Sequence, residues 1–142
     1  MIRKTTIYDI PSIVKLEEKI FHHTLGETFL LDELESNPFA HYVCYELNKS
    51  VIGYIGLRLI DDTIEIMNFL IDEDYRGEGY GKVLMHYVFE LAKENNVKTI
   101  VLEVRKSNQK AQSFYIHFGF KKSHIRKNYY ENEDAYVYVK EV

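Results

Sequence analysis

Three glycines at alternate positions, Gly77, Gly79 and Gly81, stand at the head of the most regular apolar stripe in the chain. Tyr80, Val83, Leu84, Tyr87, Val88, Leu91 and Ala92 recur at helical spacing and fall on one side of a helix. Lys82, His86, Glu90, Lys93 and Glu94 lie mostly elsewhere, and Asn95-Asn96 ends the run. A β-rich segment, Thr63 to Ile71, precedes the loop, and another, Lys98 to Val104, follows the helix. Strand, glycine loop, helix and strand make a β-α-β unit, which calls for a mixed sheet with helices packed on it.

The flanking segments extend that reading. Ile2 to Ile7 is a short strand, and Asp9 is the expected N-cap of a first helix carrying Pro11 in its first turn. Ile10, Ile13, Val14, Glu17, Ile20 and Phe21 keep helical spacing. His22 to Gly26 breaks the helix, and Glu27 to Ser36 forms a shorter one that stops before Pro38. His41 to Leu47, Val51 to Ile60 and Thr63 to Ile71 read as an antiparallel meander. Asn108 caps a further helix to His117, closed by Gly119. Phe120 to Tyr130 and Ala135 to Val142 are the last strands, joined by the turn Glu131 to Asp134. The expected order is β-α-α-β-β-β-α-β-α-β-β, an α/β fold in one domain over residues 1–142.

Composition narrows the function classes. The formal net charge is -4, which weakens any reading as a nucleic-acid coat. One cysteine, Cys44, allows neither an internal disulfide nor a thiolate zinc site. The adjacent His22-His23 pair reads as surface turn, so no metal is expected. The first residues lack the apolar core of a signal peptide, and no run approaches the ~20 apolar residues of a bilayer span. A cytoplasmic protein is expected, a monomer or weak homodimer with no membrane or direct nucleic-acid partner.

The glycine loop bears on chemistry. Glycine lets the backbone turn tightly and approach a ligand, and free N–H groups at a helix mouth favour an anion. Arg76 and Lys82 add positive charge at the two ends. A pyrophosphate suits this loop, as does a plain glycine-rich turn with no ligand. Gly81-Lys82 is followed by Val83, so the P-loop pattern fails, and the spacing G-x-G-x-G is not that of dinucleotide folds. Further on, Glu103 sits between Leu102 and Val104 in an apolar strand. It either faces solvent, paired with Arg105, or enters a cleft at the sheet. Tyr115 follows on the next helix, either as a packed aromatic or as a proton donor.

Together these residues resemble a known family. Arg76-Gly-Glu-Gly-Tyr-Gly81 resembles the R/Q-x-x-G-x-G/A acyl-coenzyme-A loop of the GNAT superfamily of N-acetyltransferases. Leu102 to Tyr130, followed by Glu133-Asp134-Ala135, closely resembles the ribosomal-protein-alanine N-acetyltransferases. The similarity is strong from about Asn68 to Val142 and collinear before it. It implies a GNAT fold and acetyl-CoA as co-substrate. It implies that Phe69, Leu70 and Ile71 pair with the pantetheine arm through their backbone. Arg76, Gly77, Glu78, Gly79, Tyr80, Gly81 and Lys82 would cradle the pyrophosphate, and Asn108 would bond the arm near the thioester. Glu103 is the implied general base and Tyr115 the implied general acid.

The implied acceptor is the N-terminal alanine of a ribosomal protein. Tyr129 and Tyr130, beside Glu131, Glu133 and Asp134, suit such a basic peptide, or form a solvated polar turn. Related enzymes commonly carry Pro-Trp-Ser after the first helix, where this chain has His22-His23-Thr24-Leu25-Gly26. The turn after Tyr130 is also short. Two other readings stay open: a GNAT enzyme for a lysine, polyamine or aminoglycoside, and a non-catalytic acyl-CoA-binding module. A deep acidic cavity would favour a polyamine, and an open groove beside Tyr129 a peptide.

Overall fold

The computed structural model describes residues 1–21, 24–130 and 132–142. Strands β1 (Ile2–Lys4), β2 (Ala40–Leu47), β3 (Ser50–Ile60), β4 (Thr63–Ile71), β5 (Thr99–Arg105), β6 (Lys121–Tyr130) and β7 (Glu133–Glu141) form one sheet in the order β1-β2-β3-β4-β5-β7-β6. Helices α1 (Ile10–Phe21), α2 (Glu27–Ser36), α3 (Tyr80–Glu94) and α4 (Gln109–His117) complete the expected order. The β2-β3-β4 meander is antiparallel, while β4 and β5 are parallel, as a crossover through α3 requires.

Apolar side chains alternate between two cores. Leu84, Met85, Val88 and Ala92 of α3 pack with Ile64, Ile66, Ile100, Leu102, Val104 and Phe120 on one side of the sheet. Ile10, Ile13 and Leu16 of α1 and Leu30 of α2 pack with Tyr42, Cys44, Tyr54 and Leu70 on the other. Each fully buried aliphatic side chain contributes about 1.5–3 kcal/mol relative to exposure.

The structure corrects several local expectations. Strand β1 ends at Lys4, and Ile7–Asp9 is a 3-10 turn. Asp9 is therefore not the N-cap but the end of that turn. Its carboxylate accepts from the Thr6 N–H at 2.8 Å and from both terminal nitrogens of Arg3, each at 2.8 Å. Val83 is exposed and Met85 is buried, because the inward face of α3 centres on Leu84, Val88 and Ala92. Phe120 lies before β6, sealed in the core. Strand β7 begins at Glu133, two residues earlier than the sequence pattern suggests, so the final turn is tighter. His22, His23 and Glu131 lie outside the described residues.

One irregularity shapes the site. The register of β3 against β4 shifts between Gly56 and Leu57, whose partners are Asn68 and Ile66. Met67 is thus an extra residue, a β-bulge that resets the alternation. Asn68 consequently faces α1, while Phe69 and Ile71 pack on the α3 side. Pairing of β4 with β5 ends at Ile66 and Leu102. Beyond that pair the two strands share no register, and the sheet opens.

Candidate active site

A cleft of about 760 Å³ fills this opening. Its walls include Phe69, Leu70 and Ile71 of β4, the loop residues Arg76, Gly77, Gly79, Tyr80, Gly81 and Lys82, and Asn108 and Tyr115. Glu78, Glu103, Tyr129 and Tyr130 are not in its walls. Glu78 sits exposed on the loop. Sequence reasoning missed the contributions of Arg105, Lys110 and His117 to the cleft. Lys110 and His117 stand seven residues apart on α4, a helical spacing that carries this signal.

The loop is built for close approach. Gly79 is the N-cap of α3 at φ 89°, a left-handed conformation that side chains resist. The first intrahelical bond runs from the Val83 N–H to the Gly79 carbonyl at 3.1 Å. The N–H groups of Tyr80, Gly81 and Lys82 have no intrahelical partner and carry the positive end of the helix dipole. A Cβ on Gly81 would stand 3.3 Å from the Phe114 ring, so the missing side chain lets α3 start against α4. The Arg76 Nε donates to the Ile71 carbonyl at 3.2 Å, folding that side chain back along the loop. Lys19 of α1 braces the preceding turn through Asp72 at 2.8 Å and Asp74 at 2.9 Å. Among the described residues, Arg76, Lys82, Arg105 and Lys110 line the cleft against one carboxylate, Glu73. On a chain with net charge -4 this concentrates positive potential in one place, which fits a polyphosphate guest.

Asn108 caps α4: its Oδ1 accepts from the Ala111 N–H at 3.1 Å. Tyr115, on α4, is 8% exposed, and its ring meets Phe69 edge-on at 6.3 Å between centroids. Burial holds its hydroxyl pKa well above the ordinary tyrosine value, and the neighbouring Tyr130 adds to the shift. The Tyr130 hydroxyl is itself pushed up to about 12, by burial first and by the Glu103 charge second. The Arg105 guanidinium lies 4.1 Å from the Tyr130 ring centroid.

Glu103 does not pair with Arg105, as strand neighbours on one face could. Its carboxylate accepts from Arg126 of β6, and Arg105 bonds Glu133 at 3.2 Å. The Tyr129 hydroxyl faces Glu103, and that carboxylate is the largest cause of its raised pKa. Alternation along β5 turns Glu103 away from the core of Ile100, Leu102 and Val104. Tyr129 is 49% exposed beside it.

Behind the cleft lies a polar centre that sequence reasoning did not separate from the apolar stripe of α1. Glu17 is 1% exposed. It accepts from Tyr54 Oη at 2.7 Å, Asn68 Nδ2 at 2.6 Å and Thr24 Oγ1 at 2.8 Å. The bulge at Met67 is what aims Asn68 at it. A glutamate at a core-facing helical position was the available signal. Among the described residues, no group of three or more His, Cys, Asp or Glu is placed to hold a metal ion. No described helix is long and apolar enough to cross a membrane.

Comparison with known proteins agrees with this architecture. The family model described as Acetyltransferase (GNAT) family matches residues 9–120. A Bacillus subtilis (strain 168) protein, named provisionally as a ribosomal protein bS18-alanine N-acetyltransferase, is 36% identical over 138 residues, 96% of this chain and 91% of the relative. The ribosomal protein bS18-alanine N-acetyltransferase of Escherichia coli (strain K12) is 29% identical over 130 residues, 89% of this chain and 84% of the relative. The crystal structure of Ard1 from Thermoplasma volcanium superposes with a TM-score of 0.92 at 28% identity, covering 100% of this chain and 97% of that one. Opened sheet, glycine loop and family match converge: the chain belongs to the acetyltransferase (GNAT) family and is an acetyl-CoA-dependent acetyltransferase.

Proposed function

We propose that this chain, acting as one domain over residues 1–142, acetylates the N-terminal α-amine of a protein, with alanine first on a basic ribosomal protein as the leading acceptor. The observation that carries this reading is the contrast between the two sides of the opened sheet. Among the described residues the cleft is lined by one carboxylate, Glu73, against four lysine and arginine side chains, which suits the phosphates of a coenzyme and not a polycation. Glu103 instead lies on the far side of β5, beside the half-exposed Tyr129. The names of the bacterial relatives point to the same acceptor.

Bound acetyl-CoA supplies an acetyl group already activated as a thioester. The N–H groups of Tyr80, Gly81 and Lys82, with Arg76 and Lys82, would hold its pyrophosphate. The length of β4 at Phe69, Leu70 and Ile71, paired with β3 but no longer with β5, would offer backbone groups to its arm on the open side, with Asn108 nearby. Glu103 takes the proton of the acceptor ammonium, directly or through a water. An α-ammonium has a pKa of about 7.7–8.0, against about 10.4 for lysine, so a carboxylate needs to do less for an N-terminus. Tyr115, protonated at neutral pH like any tyrosine and held more firmly so by burial, would give its proton to the coenzyme thiolate that leaves as the amine–carbonyl bond forms. Tyr129 and Tyr130 would flank the peptide.

The test is release of free coenzyme A thiol against a panel of short peptides and polyamines. An alanine-first basic peptide should turn over fastest, and Glu103→Gln should cut that turnover while leaving coenzyme affinity within about two-fold. Faster turnover with spermidine or a lysine side chain would move the acceptor to another amine class.

A further inference from the structure

Arg126 lies on β6, the outer strand of the sheet, and reaches across β7 to hydrogen-bond the Glu103 carboxylate. Its guanidinium stacks 4.3 Å from the centroid of the Tyr129 ring. The side chain is 48% exposed. Among the described residues no other cation forms an ion pair with Glu103, because Arg105 is taken by Glu133. The charge of Glu103 is therefore met by one long side chain from an edge strand whose residues Lys121 to Tyr129 are all exposed. An exposed pair of this kind is weak, and its arginine can move into water at little cost.

An acceptor ammonium bears the same charge as that guanidinium and needs the same carboxylate. We infer that Arg126 is a displaceable counter-ion that occupies the ammonium's place at Glu103 until the acceptor arrives. The inference rests on the reading of Glu103 as the base. Before binding, Arg126 keeps the carboxylate paired. On binding, the guanidinium leaves and the ammonium inherits the contact, so the base meets its proton only when the amine is in position. Glu65, in register with Val101 on the same side of the sheet, offers the released guanidinium a second carboxylate. Arg126 thereby acts on specificity: an acceptor end without positive charge cannot win the exchange.

The experiment uses the whole chain saturated with coenzyme A. It measures binding of an alanine-first peptide and of its desamino analogue, which lacks only the ammonium. Arg126→Gln should tighten the peptide about two- to five-fold and leave the analogue unchanged, the size expected for removing one exposed competing pair. In an Glu103→Gln background the same substitution should change neither. Weaker or unchanged peptide binding in Arg126→Gln, or equal tightening of both ligands, overturns the counter-ion role. Full turnover by Glu103→Gln would instead overturn the base assignment itself, so the two failures are separable.

Discussion

Glu103 and Arg126 are bonded across the width of β7, although Glu103 has another arginine, Arg105, two residues along its own strand. The strand order β5-β7-β6 makes this pairing available, and Glu133 makes the local one unavailable. The candidate base is therefore held by a residue from the edge of the sheet, beside the tyrosines that would meet a peptide.

Tyr115→Phe keeps the buried ring and removes only the hydroxyl. Acetyl transfer should fall about 10²-fold or more, the scale of general acid catalysis. Coenzyme affinity and melting temperature should move little. Steady-state turnover beside a thermal melt checks both, and undiminished turnover would reduce the hydroxyl to packing.

Gly79→Val places a β-branched residue at φ 89°, the N-cap of α3. Strain of about 1–3 kcal/mol should displace the loop and its N–H groups. Coenzyme A affinity, read by titration calorimetry, should drop about ten-fold or more. Retained affinity would detach the loop from phosphate binding.

Glu17→Gln leaves a buried amide where Tyr54, Asn68 and Thr24 all donate. One of those donors then faces another donor, at a cost of about 1–3 kcal/mol. Denaturant unfolding should show that loss. An unchanged midpoint would mean the three donors find other partners.

Asp9→Asn addresses acid stability. The Arg3 hydrogen bonds are the main cause that holds the Asp9 carboxyl below its ordinary value of 3.8. Because the folded state prefers the ionised form, the contribution is complete above that value and is lost as pH falls through the lower folded one. Wild type should exceed the variant by about 1.5–3 kcal/mol at pH 7. The gap should begin to narrow below about pH 4 and shrink further as pH falls through the lower folded value. A gap that persists in acid would deny the ion pair its role.

Much of the fold was legible because its signals are local. The stripe of α3, the hairpin spacing of β2 to β4 and the caps at Asn108 and Gly119 depend on residues within a turn or two of one another. Val83 and Met85 exchanged places because a stripe fixes a face only to within about one residue's rotation, and the packing against β4 and β5 chose its centre. Asp9 misled because an aspartate before Pro11 fits a cap, while the partner that buries it, Arg3, lies on β1. Of the site, the glycine loop and Tyr115 stand out along the chain, whereas Phe69 to Ile71 and Asn108 enter as cleft residues only through the family resemblance. Arg126 and Glu17 do not stand out, since each gains its meaning from a strand or helix remote in sequence.

By itself the sequence determined the elements, their order and an anion-friendly loop, because apolar period and glycine's tolerance of positive φ act over a few residues. Only the tertiary structure decided which charge meets which. The one-residue bulge at Met67 turned Asn68 toward Glu17, and the insertion of β7 between β5 and β6 brought Arg126 over Glu103. Strand order and register are set by the packing of whole faces, and a side chain's partner across a sheet follows from them.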